Sequence, residues 1–101
     1  MIIKDVFGDD VVLTEERVAH IIKEHSGMIY RIDDLSDVLS SPDVIIESRY
    51  NPKVTLYHKF YKAKHNSYIV VAVLKEKDRR FVTTAYESQL TKKGKILWTK
   101  N

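Results

Sequence analysis

A chain of 101 residues, 44% hydrophobic and 31% charged, is the size of one small domain, since domains usually run to about 100–150 residues. It has no cysteine, which excludes disulfide scaffolds, thiolate nucleophiles, iron–sulfur clusters and cysteine-based zinc sites, and no apolar run approaches the ~20 residues that span a bilayer. The formal charge of +3 conceals a split: residues 1–48 carry four bases against eleven acids, a net of −7, and residues 49–101 carry thirteen bases against three acids, a net of +10. A strongly basic half implies a face that meets an anion, and nucleic acid is the commonest large anion in a cytoplasm.

Ile2–Phe7, then Gly8-Asp9-Asp10, then Val11-Val12-Leu13 read as two short strands around a turn. Thr14 is placed as a helix N-cap, with Glu15 and Glu16 in the first turn, where the helix dipole favours acids. Val18, Ile21, Ile22 and His25 follow at spacings of three and four, so a helix is expected over residues 15–26, with Gly27 as its stop. Ile32, Leu35, Val38 and Leu39 place a second helix over residues 29–40, ended by Ser41-Pro42-Asp43.

The rest reads as strands: Val44–Ile46, Val54–Lys64, Tyr68–Lys75, Phe81–Tyr86 and Lys95–Thr99, with turns at Asn51-Pro52-Lys53, His65-Asn66-Ser67 and Lys77-Asp78-Arg79. Glu87–Lys93 is left as a short helical turn or a loop. The expected class is α+β in a single domain over residues 1–101. Two N-terminal helices pack on one face of a four- to five-stranded, mostly antiparallel sheet.

Alternation divides the long strand into two faces. Val54, Leu56, His58 and Phe60 are the more apolar set and are expected to meet the helices. Thr55, Tyr57, Lys59 and Tyr61 interleave aromatics with a base, the pattern that stacks on nucleobases and neutralises phosphate. Half-buried tyrosines and a solvated lysine would leave the same pattern. Thr84 and Tyr86 share a face on the later strand, where hydroxyls can bind phosphate, although both residue types are favoured in strands anyway.

His20 and His25 are five apart on the first helix, about 140° from each other, and are not the i, i+4 pair that holds a metal. No metal site and no cofactor site is expected. Three separate glycines make no phosphate loop. A histidine poised for proton transfer near neutral pH is the remaining route to chemistry.

LTEERVAHIIKEH (Leu13–His25), the SPDVI step (Ser41–Ile45), TLYHKFY, YIVVAVLK, FVTTAY (Phe81–Tyr86) and KKGKILW (Lys92–Trp98) together resemble the phage-associated branch of the BECR nucleases. That superfamily groups barnase, EndoU, colicin D-type and RelE-like ribonucleases. The resemblance runs from about Asp9 to Trp98, and its specificity lies in the ordered set of short motifs. It implies a metal-independent endoribonuclease, in many relatives a toxin or effector domain, which cleaves RNA by attack of the ribose 2′-OH on the adjacent phosphate. Carried onto this chain, it implies His20, Lys59, Thr84 and Tyr86 as catalytic and Arg49, Tyr57, Tyr61 and His25 as substrate-binding. The chain departs from the pattern after His25, where Ser26-Gly27 stand in place of the Pro-Glu of many relatives. RNA and a cognate acidic antitoxin or immunity protein are the expected partners. No membrane partner is expected, and the early acidic residues and missing cysteines point to the cytoplasm. The alternative is a non-catalytic RNA-binding or partner-binding protein that uses the same basic sheet face.

Overall fold

In the computed structural model, which describes residues 1–63 and 66–101, the chain runs β1 (Ile2–Lys4), β2 (Asp10–Val12), α1 (Glu15–Glu24), a 3₁₀ turn (Ser26–Tyr30), α2 (Asp34–Ser40), β3 (Val44–Glu47), β4 (Val54–Tyr61), β5 (Ser67–Glu76), β6 (Arg79–Ser88) and β7 (Ile96–Thr99). The expected positions at Lys64 and His65 lie outside the described residues.

The α+β class holds, with the sheet larger than expected. It has seven strands in the order β1-β2-β6-β5-β4-β3-β7. The β1–β2 hairpin joins β6 through one parallel pair, Val12 with Phe81, and β7 returns to pair with β3 at the far edge. Both additions are long-range dockings, which strand periodicity does not encode.

Thr14 caps α1 by accepting from the Arg17 amide at 3.1 Å. The second helix is shorter than expected and is preceded by a separate 3₁₀ turn. Ser26 and Gly27 are poor helix formers, and Arg31, only 2% exposed, is fixed in the break by Asp34 at 2.9 Å and Glu87 at 3.0 Å. Val18 and Ile21 of α1, Met28, and Leu35, Val38 and Leu39 of α2 pack on Ile45, Tyr57, Ile69, Val71, Val73, Val82 and Ala85, which together form the main core.

The register corrects the expected facing of β4. Residues directly opposite in antiparallel strands share a face. Ile45, Tyr57, Val71 and Ala85 form one row, and all four belong to the helix-side core. Leu56, Ala72 and Thr84, then His58, Val70 and Tyr86, form rows on the opposite face. The tyrosine–lysine stripe therefore faces the helices, and the more apolar set faces away. The physical reason lies outside β4. On the helix side, Asp37 of α2 satisfies Lys59 and Tyr61 and Asp5 of the β1–β2 connection satisfies Tyr57, whereas on the other face Leu56 packs with Val70 and Ala72 and His58 is bound by the Lys92 amide.

Candidate active site

The helix-side stripe is closed. Asp5, 5% exposed, accepts from the Phe7 and Asp9 amides at 2.9 Å each, and its other oxygen takes the Tyr57 hydroxyl at 2.6 Å. Burial, together with the Asp5 hydrogen bond, pushes the Tyr57 phenol well above its ordinary range. Asp37 of α2 accepts from the Tyr61 hydroxyl at 2.7 Å and pairs with Lys59 at 3.1 Å. The Tyr61 hydrogen bond, helped by Lys59, holds the Asp37 carboxyl below the usual range. Tyr57, Lys59 and Tyr61 are thus bound by carboxylates on the opposite side of the sheet from Thr84 and Tyr86, and the expected convergence with those two does not occur. His20 is exposed on α1 and is not among the residues that line the groove around Tyr86 or the concavity beside His25.

The other face of the sheet holds a groove of about 410 Å³. Its floor is Leu56, Ala72, Thr84 and Tyr86, and its rim carries Arg49, Tyr50, Lys92 and Lys93. Two connections build that rim. Between β3 and β4, the Ser48 hydroxyl accepts the Tyr50 amide at 3.2 Å and the Asn51 side chain accepts the Lys53 amide at 3.0 Å, a local turn that leaves Arg49 and Tyr50 exposed, Tyr50 at 94%.

The second rim is the strap of residues 89–95, which connects β6 to β7 at the far edge of the sheet. Two contacts fix it on the groove face. The Lys92 amide donates to His58 Nε2 at 3.0 Å, and the Lys92 ammonium lies 5.1 Å from the centre of the Tyr86 ring. His58 is fully buried, with Nδ1 2.9 Å from the Leu56 carbonyl. Accepting at Nε2 assigns the proton to Nδ1 and makes the ring neutral. Burial lowers the His58 pKa in the same sense. At the end of the strap, Gly94 has φ +153, and a Cβ there would collide with the Glu47 carbonyl and lie 2.9 Å from Ile46 Cγ2, so the close approach of strap to β3 requires glycine.

Tyr86 is the centre of the groove. Its ring stands 5.7 Å from that of His25, the residue that ends α1, and Lys92 lies over it. Burial raises its phenol pKa, so the hydroxyl is protonated at neutral pH, and it bonds to no described residue. Of the expected site residues, the structure brings Thr84, Tyr86 and Arg49 to the groove, with His25 against Tyr86. It leaves Lys59, Tyr57, Tyr61 and His20 elsewhere. Lys92, Lys93 and Tyr50 were not singled out for the site from sequence; the Lys92-Lys93-Gly94 run was the available signal. Among the described residues no carboxylate lines the groove, and no cluster of three or more His, Cys, Asp or Glu is placed to hold a metal.

A family model described as phage-Barnase-EndoU-ColicinE5/D-RelE like nuclease 3 matches residues 3–95. No curated protein and no solved structure matches the chain.

Proposed function

The chain belongs to the phage-Barnase-EndoU-ColicinE5/D-RelE like nuclease family, and on that premise we propose that it is a metal-independent endoribonuclease whose active site is the groove around Tyr86. The carrying observation is that the His25 ring and the Lys92 ammonium both stand against the Tyr86 ring, with Thr84 and Arg49 lining the same groove as Tyr86.

In this reading a scissile phosphate lies over Tyr86. Arg49, Lys92 and Lys93 neutralise its oxygens, and the Thr84 hydroxyl donates to one of them. His25 removes the ribose 2′-OH proton, and the 2′ oxygen forms a bond to phosphorus. The bond from phosphorus to the 5′ oxygen breaks, and Tyr86 gives that oxygen its proton. The products are a 2′,3′-cyclic phosphate and a free 5′-OH. The phosphate-binding groove is lined by cations without carboxylates, the reverse of what binds a divalent ion, while the adjoining concavity that holds His25 carries Glu24 and Glu87, so the EDTA experiment decides the metal-free route. The same lining would attract an acidic inhibitor, the partner a toxin or effector domain needs.

Purified protein is expected to cleave single-stranded RNA or tRNA in EDTA and to leave 2′,3′-cyclic ends. Replacing the ribose at the cleaved position by deoxyribose should abolish the cut. Equal cleavage of the deoxy substrate, or cleavage only after a metal is added, overturns the mechanism.

A further inference from the structure

The groove face does not end at Thr84. The next row toward the β5–β6 turn is Val54, Leu74 and Phe81, displaced by a bulge in β6 between the Ala72 and Val73 pairings. Beyond it lies a second concavity of about 360 Å³, lined by Lys53, Glu76, Lys77, Arg79 and Phe81. It holds three cations against one carboxylate. The Arg79 guanidinium lies 5.5 Å from the centre of the Phe81 ring and is otherwise exposed.

The turn itself is unusual. Lys77 and Asp78 alone connect β5 to β6, and Lys77 has φ +55, a left-handed conformation that Gly, Asn or Asp adopt at lower cost. Lys77, despite this disfavoured backbone, places a cation at the edge of the concavity.

We propose that this end of the sheet face is a second nucleotide subsite for a single-stranded polynucleotide. One base stacks on the outer plane of Arg79, which Phe81 backs from beneath, and Lys53 and Lys77 take the flanking phosphates. Guanidinium planes and aromatic rings are the usual stacking surfaces for unpaired bases. Tyr86 and Phe81 are five positions apart on one strand, about 15 Å at the rise of a β-strand, so the chain joining the two sites runs along β6. The floor between them, Ala72, Thr84, Val54 and Leu74, contains no charge. A base paired in a duplex has no free face to give Arg79, so the subsite selects single strands.

The proposal takes the nature of its occupant from the nuclease reading, and its test separates the two. Binding is measured by fluorescence anisotropy with 2′-O-methyl oligoribonucleotides, which a 2′-OH mechanism does not cut. One is a dinucleotide, which fills the Tyr86 groove alone, and one is long enough to reach Arg79. Wild type should bind the longer strand more tightly. Arg79→Ala should weaken that binding about tenfold and leave the dinucleotide unchanged. Lys77→Gly should also weaken the longer strand, while its melting temperature stays level or rises because the backbone strain is removed. Unchanged affinity in both variants, equal affinity of wild type for the two lengths, or equal affinity for a duplex overturns the subsite. If wild type binds the long strand as described and does not cut unmodified RNA, the nuclease reading fails and the subsite stands.

Discussion

The two faces of this sheet carry nearly the same residue types and differ in what stands opposite them. On the helix side, Tyr57 meets Asp5, Tyr61 and Lys59 meet Asp37, and Arg31 meets Asp34 and Glu87. On the groove side, Tyr86 meets His25 and Lys92, and Arg49, Lys92 and Lys93 line a groove with no carboxylate in its described lining. Carboxylates, most of them from the N-terminal half, pair with the helix-side cations, and none is in the described lining of the groove. A tyrosine–lysine pattern in a strand is thus ambiguous until its acids are located. Paired with carboxylates it holds the fold together, and without them it can hold a phosphate.

The largest expected effect crosses the two faces. His25→Ala and Tyr86→Phe should each lower RNA cleavage about 10²–10⁴-fold, the range for losing a general acid or base, with little change in unfolding free energy because His25 is exposed and Tyr86 keeps its ring. Asp5→Ala should do the reverse. It leaves two amides and the Tyr57 hydroxyl without their acceptor and should cost about 3 kcal/mol of stability, while the folded fraction cleaves at the wild-type rate. Chemical denaturation paired with cleavage rates reads both. If Asp5→Ala loses activity per folded molecule, or Tyr86→Phe unfolds the protein, the division between faces is wrong.

A smaller effect sharpens the comparison, because His58 is the one histidine among the described residues that is buried. Its folded pKa lies below the ordinary 6.5, chiefly through burial. The unfolded chain then binds more protons than the folded one at mildly acid pH, so stability falls as pH drops below about 6.5 toward the depressed value. The slope cannot exceed about 1.4 kcal/mol per pH unit for one proton. Protonating Nε2 also removes the acceptor for the Lys92 amide, so cleavage should fall over the same range as the strap is released. In His58→Gln the acid loss of stability should disappear. A wild-type stability profile flat between pH 7 and 5 removes His58 from this role.

Much of the frame was legible because it rests on local signals. Thr14 caps α1, Pro42 follows α2, the alternation in residues 54–61 marks β4, and the apolar run in residues 68–75 marks β5. The facing of β4 was not legible. Period-two alternation separates two sets of side chains and does not say which set meets the helices. The more apolar set is the weaker guide here, because Tyr57 has its partner in a turn 52 residues away. That Thr84 and Tyr86 share a face was legible, since they stand two apart on one strand. Lys92 was not assigned a role, because its place depends on His58 anchoring a strap that no periodicity marks.

The smallest effect is the most direct check on the helix-side stripe, since Lys59 stands in the strand motif of the family resemblance as a phosphate-binding residue. Its ammonium is 3.1 Å from Asp37, with the lysine side chain 22% and the aspartate side chain 49% exposed. A pair that open to solvent contributes at most about 1 kcal/mol, and less at high salt. Lys59→Met keeps the aliphatic stem against the sheet and removes only the charge. Asp37 still accepts the Tyr61 hydroxyl, the stronger of its two stabilising contacts, so its carboxyl stays below the usual range and the helix remains docked. The variant should therefore unfold within about 1 kcal/mol of wild type and cleave RNA at an unchanged rate. A tenfold loss of cleavage at unchanged stability would return Lys59 to the active site and require the phosphate to be reached from the helix side. An unchanged rate beside a Tyr86→Phe variant that no longer cleaves assigns the chemistry to the groove face.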